Sequence, residues 1–304
     1  MAELSPLQCP QASTGGLTLS RIVAGMWRMN EWDMTVQQRI TLIEQCLAMG
    51  VSSFDHADIY GGYGVEALFG AALQARPELR QRMQIISKCG IKLLSPQRPA
   101  HTIQHYDTSR QHIVASAEQS LRELHTDHLD LLLIHRPDPL MDFDEIAEAF
   151  TSLMKAGKVK HVGVSNFTRH QFDSLNRRVK LATNQVEFSP MHVAPLFDET
   201  FDGLQDLGIS PMIWSPLAGG RLFKTADADG ENLRAVIQGI ADKLGQPFVS
   251  VVFAWIMRLP CAPIPLTGSG RIEAIATAVR GATIELDRQD WFAILRAARG
   301  HEVA

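Results

Sequence analysis

Four side chains that can exchange or hold protons stand at the ends of three apolar segments. Asp55 ends one segment, Tyr60 follows five positions later, Lys88 ends the next segment, and His135 ends the apolar run 131–134. Alone, each type commonly caps a turn, meets solvent or makes one hydrogen bond. Crowded at one edge of a fold, however, a carboxylate, a phenol, an ammonium and an imidazole shift one another's pKa values. The spacing therefore predicts acid–base chemistry centred on Tyr60.

Lys88 is the group that we expect to adjust the acidity of Tyr60. A phenol has a reference pKa of about 10, and lowering it to about 7 requires about 4 kcal/mol. An ammonium about 4 Å away supplies about 4 kcal/mol at an effective dielectric constant near 20, which predicts a pKa of Tyr60 near neutrality. Asp55 would keep Lys88 charged and in place. Such a set suits a small carbonyl compound that takes a proton from Tyr60 while His135 orients it.

Short apolar segments alternate with longer segments of helical period along the chain. The predicted strands cover residues 22–25, 52–55, 84–88, 129–135, 159–165, 182–187, 210–215 and 262–267. The predicted helices cover residues 36–49, 65–75, 109–124, 143–156, 169–176, 197–207, 233–244 and 272–279, with an additional helix at 248–258. Strands joined by helices of this length pair in parallel through right-handed crossovers. Eight such units predict an α/β fold, a (β/α)₈ TIM barrel, in one domain over residues 1–304; an open doubly wound sheet is the alternative.

The predicted barrel explains why the four polar residues follow their strands directly. In barrels of this kind the active site is built at the C-terminal ends of the strands, and Asp55, Lys88 and His135 stand at three successive ends. The long irregular segment 91–108 follows the third strand. Because long loops in compact domains are commonly functional, we expect this segment to cover the site.

Composition excludes several other classes of protein. The chain is 45% hydrophobic and 20% charged, which is typical of a soluble globular protein with a substantial core. Lys and Arg number 29 against 33 Asp and Glu, so no positive excess is available to neutralise a nucleic-acid backbone. The four cysteines lack the spacing of a metal site or a disulfide framework. No apolar run reaches membrane-spanning length, and charged and proline residues interrupt the first ten positions. We expect a cytoplasmic monomer that binds neither nucleic acid nor membrane and holds no metal.

One glycine-rich segment imitates a nucleotide-binding motif. Residues 62–67 fit the G-x-G-x-x-A pattern that binds dinucleotide phosphates, but Lys88 stands near the position where that pattern requires an acidic residue. We therefore interpret the glycines as a turn into a helix. Tyr63 is the rival phenol, at a longer spacing from Asp55. His56 should point away from the site, because side chains alternate along a strand.

Several motifs, in order, resemble those of the aldo-keto reductase family, and more narrowly its bacterial branch of small general oxidoreductases. The similar segments are 54–61, around the family's Asp and Tyr, 86–88 and 133–137, around its Lys and His, and 163–167 and 184–187. The resemblance runs from about residue 19 to the C-terminus. It implies a (β/α)₈ barrel that reduces aldehydes or ketones with NADPH and without a metal.

The resemblance also implies a set of cofactor contacts. The residues are Gly25, Met26, Trp27, Asp55, Ser165, Asn166, Gln185 and Trp214 around the nicotinamide, Ser215, Pro216, Leu217, Gly219 and Arg221 along the pyrophosphate turn, and Thr267, Gly268, Ser269 and Arg271 at the adenosine 2′-phosphate. Arg271 favours NADPH (NADP⁺), and a helix start there offers backbone N–H groups to a phosphate. NADH stays possible, because Leu266 and Ile275 stand where the family frequently has lysine and asparagine.

The substrate is predicted to be a small-molecule carbonyl compound held near Tyr60 and His135. Trp27 and Trp32 are the candidate walls of its pocket and suit small aromatic or dicarbonyl compounds. Two other functions stay open. Lys88 at a barrel strand end could be the Schiff-base nucleophile of a lyase. The chain could also be a nicotinamide-binding regulatory protein with little turnover, as the potassium-channel β subunits of the family suggest.

Overall fold

Eight parallel strands close into a barrel in the computed structural model, which describes residues 7–224 and 227–302. The strands of the described chain are β1 (Gln11–Thr14), β2 (Leu17–Ser20), β3 (Val23–Gly25), β4 (Ser53–Asp55), β5 (Gln84–Cys89), β6 (Ile91–Lys92), β7 (His105–Tyr106), β8 (Leu129–Ile134), β9 (Val159–Ser165), β10 (Asn184–Glu187), β11 (Met212–Trp214) and β12 (Ile264–Thr267). The barrel order is β3-β4-β5-β8-β9-β10-β11-β12, and β12 pairs with β3 to close it. The predicted closed barrel is confirmed, and the open doubly wound sheet is wrong.

Helices connect the barrel strands and form its outer layer. They are α1 (Val36–Ala48), α2 (Val65–Ala75), α3 (Arg110–Glu123), α4 (Phe143–Lys155), α5 (Arg169–Asn176), α6 (Thr200–Asp206), α7 (Ala228–Leu244), α8 (Phe248–Met257), α9 (Ile272–Arg280) and α10 (Arg288–Arg299). Two of them begin with reciprocal caps, Thr35 with Gln38 and Thr168 with Gln171, which satisfy backbone N–H groups at the helix start. Every predicted helix is present, and the sequence reasoning missed α10.

Side chains from alternate strands and from an unpredicted hairpin fill the barrel. Ile86, Leu131, Leu133, Met212 and Leu266 are among the interior residues, as expected for a packed barrel rather than a pore. The hairpin of β1 and β2 belongs to the same interior cluster through the buried leucines of β2. It therefore closes the end of the barrel opposite the strands' C-termini.

A Gly-Gly turn makes this hairpin possible. Gly15 and Gly16 both have positive φ, at 52° and 85°, as a tight two-residue hairpin turn requires. A Cβ on Gly15 would lie 2.4 Å from Cα of Ala182, so only glycine fits against the barrel wall. The Thr14 hydroxyl donates to the Ala182 carbonyl at 2.5 Å and accepts from the backbone N–H of Ser210 at 3.0 Å. The hairpin thereby satisfies backbone groups at the start of the second half of the barrel.

Among the described residues, no single helix is long and apolar enough to cross a membrane; α7 and α8 reach that length and apolar composition only together, and they meet at a bend of 97°. Most of α8 is buried in an apolar cluster that it shares with α7 and α10, where Trp255 stacks between Phe188 and Trp291. Its apolar composition therefore serves the packing of the barrel's outer layer.

Two acidic side chains are enclosed between α2, α3 and the outer face of β5. Glu66 is 1% exposed and accepts a hydrogen bond from Ser87, and Asp58 accepts one from Ser116 at 2.7 Å. Burial raises the pKa of Glu66 to about 8 and that of Asp58 to about 7. Both groups therefore hold protons at a pH where exposed carboxyl groups have lost theirs.

We expect Glu66→Gln to reduce the loss of stability with rising pH. The pKa of native Glu66 is raised to about 8, so the side chain keeps its proton up to that pH, whereas a glutamate in the unfolded chain loses its proton near its ordinary pKa of 4.5. The native state binds the extra proton between these values, so the free energy of unfolding falls as pH rises through this window, by an amount on the order of a few kcal/mol. The amide of glutamine stays neutral and removes this part of the slope.

Urea unfolding at pH 5, 6.5 and 8 measures the effect. Glu78→Gln is the matched control, because Glu78 lies at the surface beside Arg76 and its pKa is lowered rather than raised. If the wild-type protein and Glu66→Gln lose stability equally across this range, Glu66 does not carry a proton in the native state.

Candidate active site

Lys88 lies between Asp55 and Tyr60 at the C-terminal ends of β4 and β5. Its ammonium Nζ donates to Asp55 Oδ2 at 2.6 Å, to the His56 carbonyl at 2.8 Å and to Tyr60 Oη at 3.0 Å. The Lys88 and Asp55 side chains are each 1% exposed, so the ion pair lies out of solvent. All three donors of the ammonium are used. The structure thus brings Asp55, Tyr60 and Lys88 into direct contact.

The register of the parallel strands places these groups on the inner side of the rim. Asp55 pairs with Ile86 across β4 and β5, and Lys88 pairs with Leu133 across β5 and β8. His56, one residue beyond Asp55, turns outward and packs edge-on against Phe69 at 4.5 Å between ring centroids. The alternation of side chains along a strand therefore separates His56 from the site, as its position predicted.

Gln185 holds the second oxygen of Asp55. Its amide Nε2 donates to Asp55 Oδ1 at 2.9 Å, across 130 residues of sequence. Asp55 is thus fixed between an ammonium and an amide, both buried. Motif spacing did not indicate this contact, because it joins strands on opposite sides of the barrel.

The protonation states of Lys88 and Tyr60 follow from burial and from their mutual contact. Burial lowers the pKa of Lys88, but Asp55 and Tyr60 outweigh it and the net shift is upward, so the side chain stays an ammonium. Burial raises the pKa of Tyr60, and the attraction of Lys88 does not overcome it. The expected lowering of the Tyr60 pKa toward neutrality is therefore wrong, because the cost of desolvating a phenolate exceeds the attraction of the ammonium. The Tyr60 side chain is consequently a protonated phenol near neutral pH.

His135 faces Tyr60 across the mouth of the barrel. The two rings meet edge to face with their centroids 5.9 Å apart. Burial, followed by the charges of Lys88 and Arg136, holds the pKa of His135 well below its usual range, so the imidazole is neutral. Its Nδ1 is buried and has no hydrogen-bond partner among the described residues. Because a buried N–H without an acceptor is costly, we infer that the proton sits on Nε2.

A chain of hydrogen bonds joins the ends of β9, β10 and β11. Trp214 Nε1 donates to Asn166 Oδ1 at 2.9 Å, and Asn166 Nδ2 donates to Ser165 Oγ at 2.8 Å. Ser165 Oγ in turn donates to the carbonyl of Gln185 at 2.8 Å. Asn166 has a φ of 61°, a left-handed conformation that asparagine tolerates better than most residues. The residues predicted to face the nicotinamide from this side of the barrel are thus mutually oriented.

The segment after β11 forms an open backbone turn. Ser215 has a φ of 52° before buried Pro216 and half-buried Leu217, and Gly219 and Gly220 have φ values of 65° and 94°. Among the described residues, no atom lies within 4 Å of a Cβ built on either glycine, so a bulky anionic group can approach the backbone there. The adjacent Arg221 is mostly exposed, and its guanidinium lies 3.8 Å from the carboxylate of Glu187.

The turn after β12 adjoins the corner after β3. Thr267 pairs with Ala24, and the position of a Cβ on Gly25 lies 3.5 Å from the Thr267 carbonyl. Gly268 is exposed, and Ser269 Oγ accepts a hydrogen bond from the backbone N–H of Arg271. Arg271 is exposed at the start of α9.

The apolar residues beside these two turns differ in their burial. Leu266 is buried in the barrel interior, and Ile275 is buried in the apolar layer between the barrel and its outer helices. The side chain of Met26 is buried in the same layer, which leaves its backbone for any cofactor contact. Trp27 is 55% exposed. Trp32 lies against Gly270, beside the Arg271 turn.

The segment 91–108 folds back as a two-stranded hairpin of β6 and β7. The Tyr63 hydroxyl accepts from the backbone N–H of Leu93 at 2.8 Å, and the guanidinium of Arg98 lies 4.6 Å from the centroid of the Tyr63 ring. Tyr63, the rival phenol, thus anchors this hairpin. Its neighbouring glycines lie in the turn that leads into α2, as expected of a segment that only imitates a nucleotide-binding motif.

Within residues 7–224 and 227–302, no group of three or more His, Cys, Asp or Glu side chains is arranged to hold a metal ion. All four cysteines are buried and reduced. The chemistry that the site's own side chains offer is therefore proton donation by a phenol beside an ammonium, with a neutral imidazole as a second hydrogen-bond donor.

Comparisons with known proteins agree with this geometry. A sequence model of the Aldo/keto reductase family matches residues 21–299. The chain is 52% identical to the oxidoreductase YdhF of Escherichia coli over 95% of its length and 96% of that protein, and 44% identical to the uncharacterized oxidoreductase YcsN of Bacillus subtilis over 94% and 97%. It is 43% identical to a 6-dehydroglucose reductase of Agrobacterium fabrum over 95% and 97%.

Among solved structures, the thermostable aldo-keto reductase Tm1743 superposes with a TM-score of 0.79 at 22% identity, covering 95% of this chain and 99% of that one. At this identity the likeness supports the fold.

Proposed function

The chain belongs to the aldo/keto reductase family, and with that membership as the premise we propose that it reduces aldehydes or ketones, with NADPH as hydride source and Tyr60 as proton donor. It is an oxidoreductase that uses a nicotinamide cofactor. The observation that carries the finer proposal is the contact of buried Lys88 with both Asp55 and Tyr60. Burial keeps the phenol protonated against the attraction of this ammonium, as a general acid requires.

Residues around these three side chains would hold the dinucleotide. Trp214 would stack on the nicotinamide, and Ser165 and Asn166 would hold its carboxamide. Gln185 Nε2 donates to Asp55, so Gln185 Oε1 would be available to accept from the carboxamide N–H groups. The open turn at Gly219 and Gly220 suits the pyrophosphate. NADPH, when bound there, supplies the hydride for the carbonyl carbon.

The proton steps belong to the chain's own side chains. Tyr60 Oη accepts a hydrogen bond from Lys88, so its own O–H is left to donate to a carbonyl oxygen in the mouth of the barrel. Lys88 stabilises the phenolate that forms when this proton leaves. Neutral His135 donates from Nε2 to the same oxygen and orients it. Asp55 keeps the ammonium charged throughout.

The same geometry argues against Lys88 as a Schiff-base nucleophile. A nucleophilic lysine must lose its proton, but the pKa of Lys88 is raised, and its nitrogen donates to three oxygens at 3.0 Å or less. A free lone pair on Nζ would require the loss of the Asp55 ion pair. The lyase alternative is therefore disfavoured on physical grounds.

We expect Arg271→Ala to weaken NADPH binding by about 10- to 100-fold and to change NADH binding by less than threefold. Arg271 is exposed at the start of α9, where its guanidinium can form charge-assisted hydrogen bonds with a 2′-phosphate, each of about 1.5–3 kcal/mol. NADH lacks this phosphate. Titration of each cofactor against protein fluorescence gives the two dissociation constants.

Arg280→Ala is the control for that change, since it removes a positive charge from the far end of the same helix. Equal losses for both cofactors with Arg271→Ala would show that Arg271 does not bind the 2′-phosphate.

The experiment that tests the proposed function is NADPH consumption by the purified protein against a panel of aldehydes, ketones and quinones. The panel includes 6-dehydroglucose, because relatives at 43% and 36% identity are named as reductases of that compound. Carbonyl-dependent oxidation of NADPH supports the proposal. If the protein binds NADPH and oxidises none against the whole panel, the regulatory alternative replaces it.

A further inference from the structure

Arg136 stands at the mouth of the barrel directly after His135. Its guanidinium lies 5.3 Å from the centroid of the Trp214 ring, which holds it over the end of β11. Burial raises the pKa of Tyr60 and lowers that of His135, and the charge of Arg136 is close enough to both groups to lower the pKa of each. A permanent cation therefore lies within electrostatic reach of the phenol and the imidazole between which a carbonyl oxygen would sit.

This cation has no anionic partner in the described part of the chain. Arg136 takes part there in no ion pair and no hydrogen bond, and its stacking on Trp214 is the one polar contact that it makes. By contrast, Asp55 neutralises Lys88. An arginine carries five N–H donors in a rigid fork that matches a carboxylate. Arg136 thus brings a positive charge and a full set of unused N–H donors to the end of β11.

We propose that Arg136 binds a carboxylate on the substrate, so that the natural substrates are carbonyl compounds that carry a carboxylate group. The proposal rests on the proposed function, since it names the substrate class of that same site. Trp214 packs against the guanidinium from the β11 side and holds Arg136 in place, while His135 and Tyr60 donate hydrogen bonds to the carbonyl oxygen. Arg136 is a specificity-determining residue, since the reaction's proton comes from Tyr60.

Matched acid and ester substrates test this inference. Glyoxylate, succinic semialdehyde and 4-carboxybenzaldehyde each differ from their methyl esters by one charge, and they place the carboxylate at three distances from the aldehyde. We expect kcat/KM for at least one acid to exceed that for its ester by about 10- to 100-fold, because one charge-assisted hydrogen bond changes affinity by about this factor. In Arg136→Gln this ratio should fall to near one. Arg136→Lys should keep part of it, as a point charge without the fork.

Arg98→Gln is the matched control. Arg98 also stacks on an aromatic ring, Tyr63, and its removal changes the net charge equally, but it lies on the hairpin rather than beside His135. We expect its acid-to-ester ratio to stay within twofold of the wild-type value. Equal rates for acids and esters in the wild-type protein, or a ratio that survives Arg136→Gln, would overturn the inference.

A binding measurement separates this inference from the proposed function. Benzoate and benzamide are titrated against the NADPH complex by tryptophan fluorescence, which needs no turnover. If no carbonyl compound is reduced, the proposed function fails; tighter binding of benzoate that Arg136→Gln abolishes would still support the carboxylate site. Equal affinities for benzoate and benzamide would contradict the proposed carboxylate site.

Discussion

Tyr60→Phe is expected to lower kcat for carbonyl reduction by about 10²- to 10⁴-fold, the contribution of a positioned general acid. The phenylalanine ring fills nearly the same space, so the fold and the binding of NADPH should change little. The loss should therefore appear in single-turnover rates of NADPH oxidation and not in the dissociation constant of the cofactor. A variant that kept full activity would show that the proton comes from another group.

Tyr63→Phe is the control for this substitution. Tyr63 lies three residues from Tyr60, but its hydroxyl accepts from Leu93 in the hairpin. Losing that hydrogen bond should cost about 1 kcal/mol of stability and leave the chemical step within a fewfold of the wild-type rate. A comparable loss of kcat in both variants would point to disturbance of the whole loop instead of removal of the acid.

We expect Lys88→Met to destabilise the protein by about 3–5 kcal/mol and to abolish measurable turnover. The substitution leaves Asp55 as a buried carboxylate with Gln185 as its remaining partner, and breaking a buried ion pair on one side carries a penalty of this size. The phenol also loses the ammonium that stabilises its ionised form. Urea unfolding followed by circular dichroism measures the first effect, and NADPH oxidation measures the second.

The double variant Asp55→Asn/Lys88→Met distinguishes the two losses. It removes both charges, so most of the stability should return, because no uncompensated carboxylate stays in the barrel. Activity should not return, since Tyr60 still lacks its ammonium. If the double variant were as unstable as Lys88→Met, the destabilisation would come from lost packing of the lysine stem and not from the unpaired charge.

The strand–helix alternation and the polar strand ends were predictable because both are local. A period of two or 3.6 in apolar residues, and a charged residue ending an apolar run, are visible within ten or fifteen consecutive positions. Strand pairing in a parallel barrel then brings successive strand ends together, so Asp55 and Lys88 had to be neighbours once the fold was correct. The hairpin of β1 and β2 was not predicted, although the Gly15-Gly16 turn between its strands is a local signal for it.

The charge states of the site depended on the tertiary structure. Sequence spacing predicted that Lys88 would lower the pKa of Tyr60, whereas burial of the phenol raises it. Desolvation depends on every atom that surrounds the group, and those atoms come from distant strands. The same applies to the contact between Gln185 and Asp55, which spans 130 residues.

By itself, the sequence determined the barrel, the family resemblance and the four side chains that meet at its mouth, because each follows from local pattern and short spacing. Only the tertiary structure decided that burial keeps the phenol of Tyr60 protonated, that Gln185 holds Asp55 and that Arg136 lies over Trp214 without an anionic partner among the described residues. These properties are sums of burial and charge over groups that only the closed barrel brings together, and such sums have no local signature in the chain.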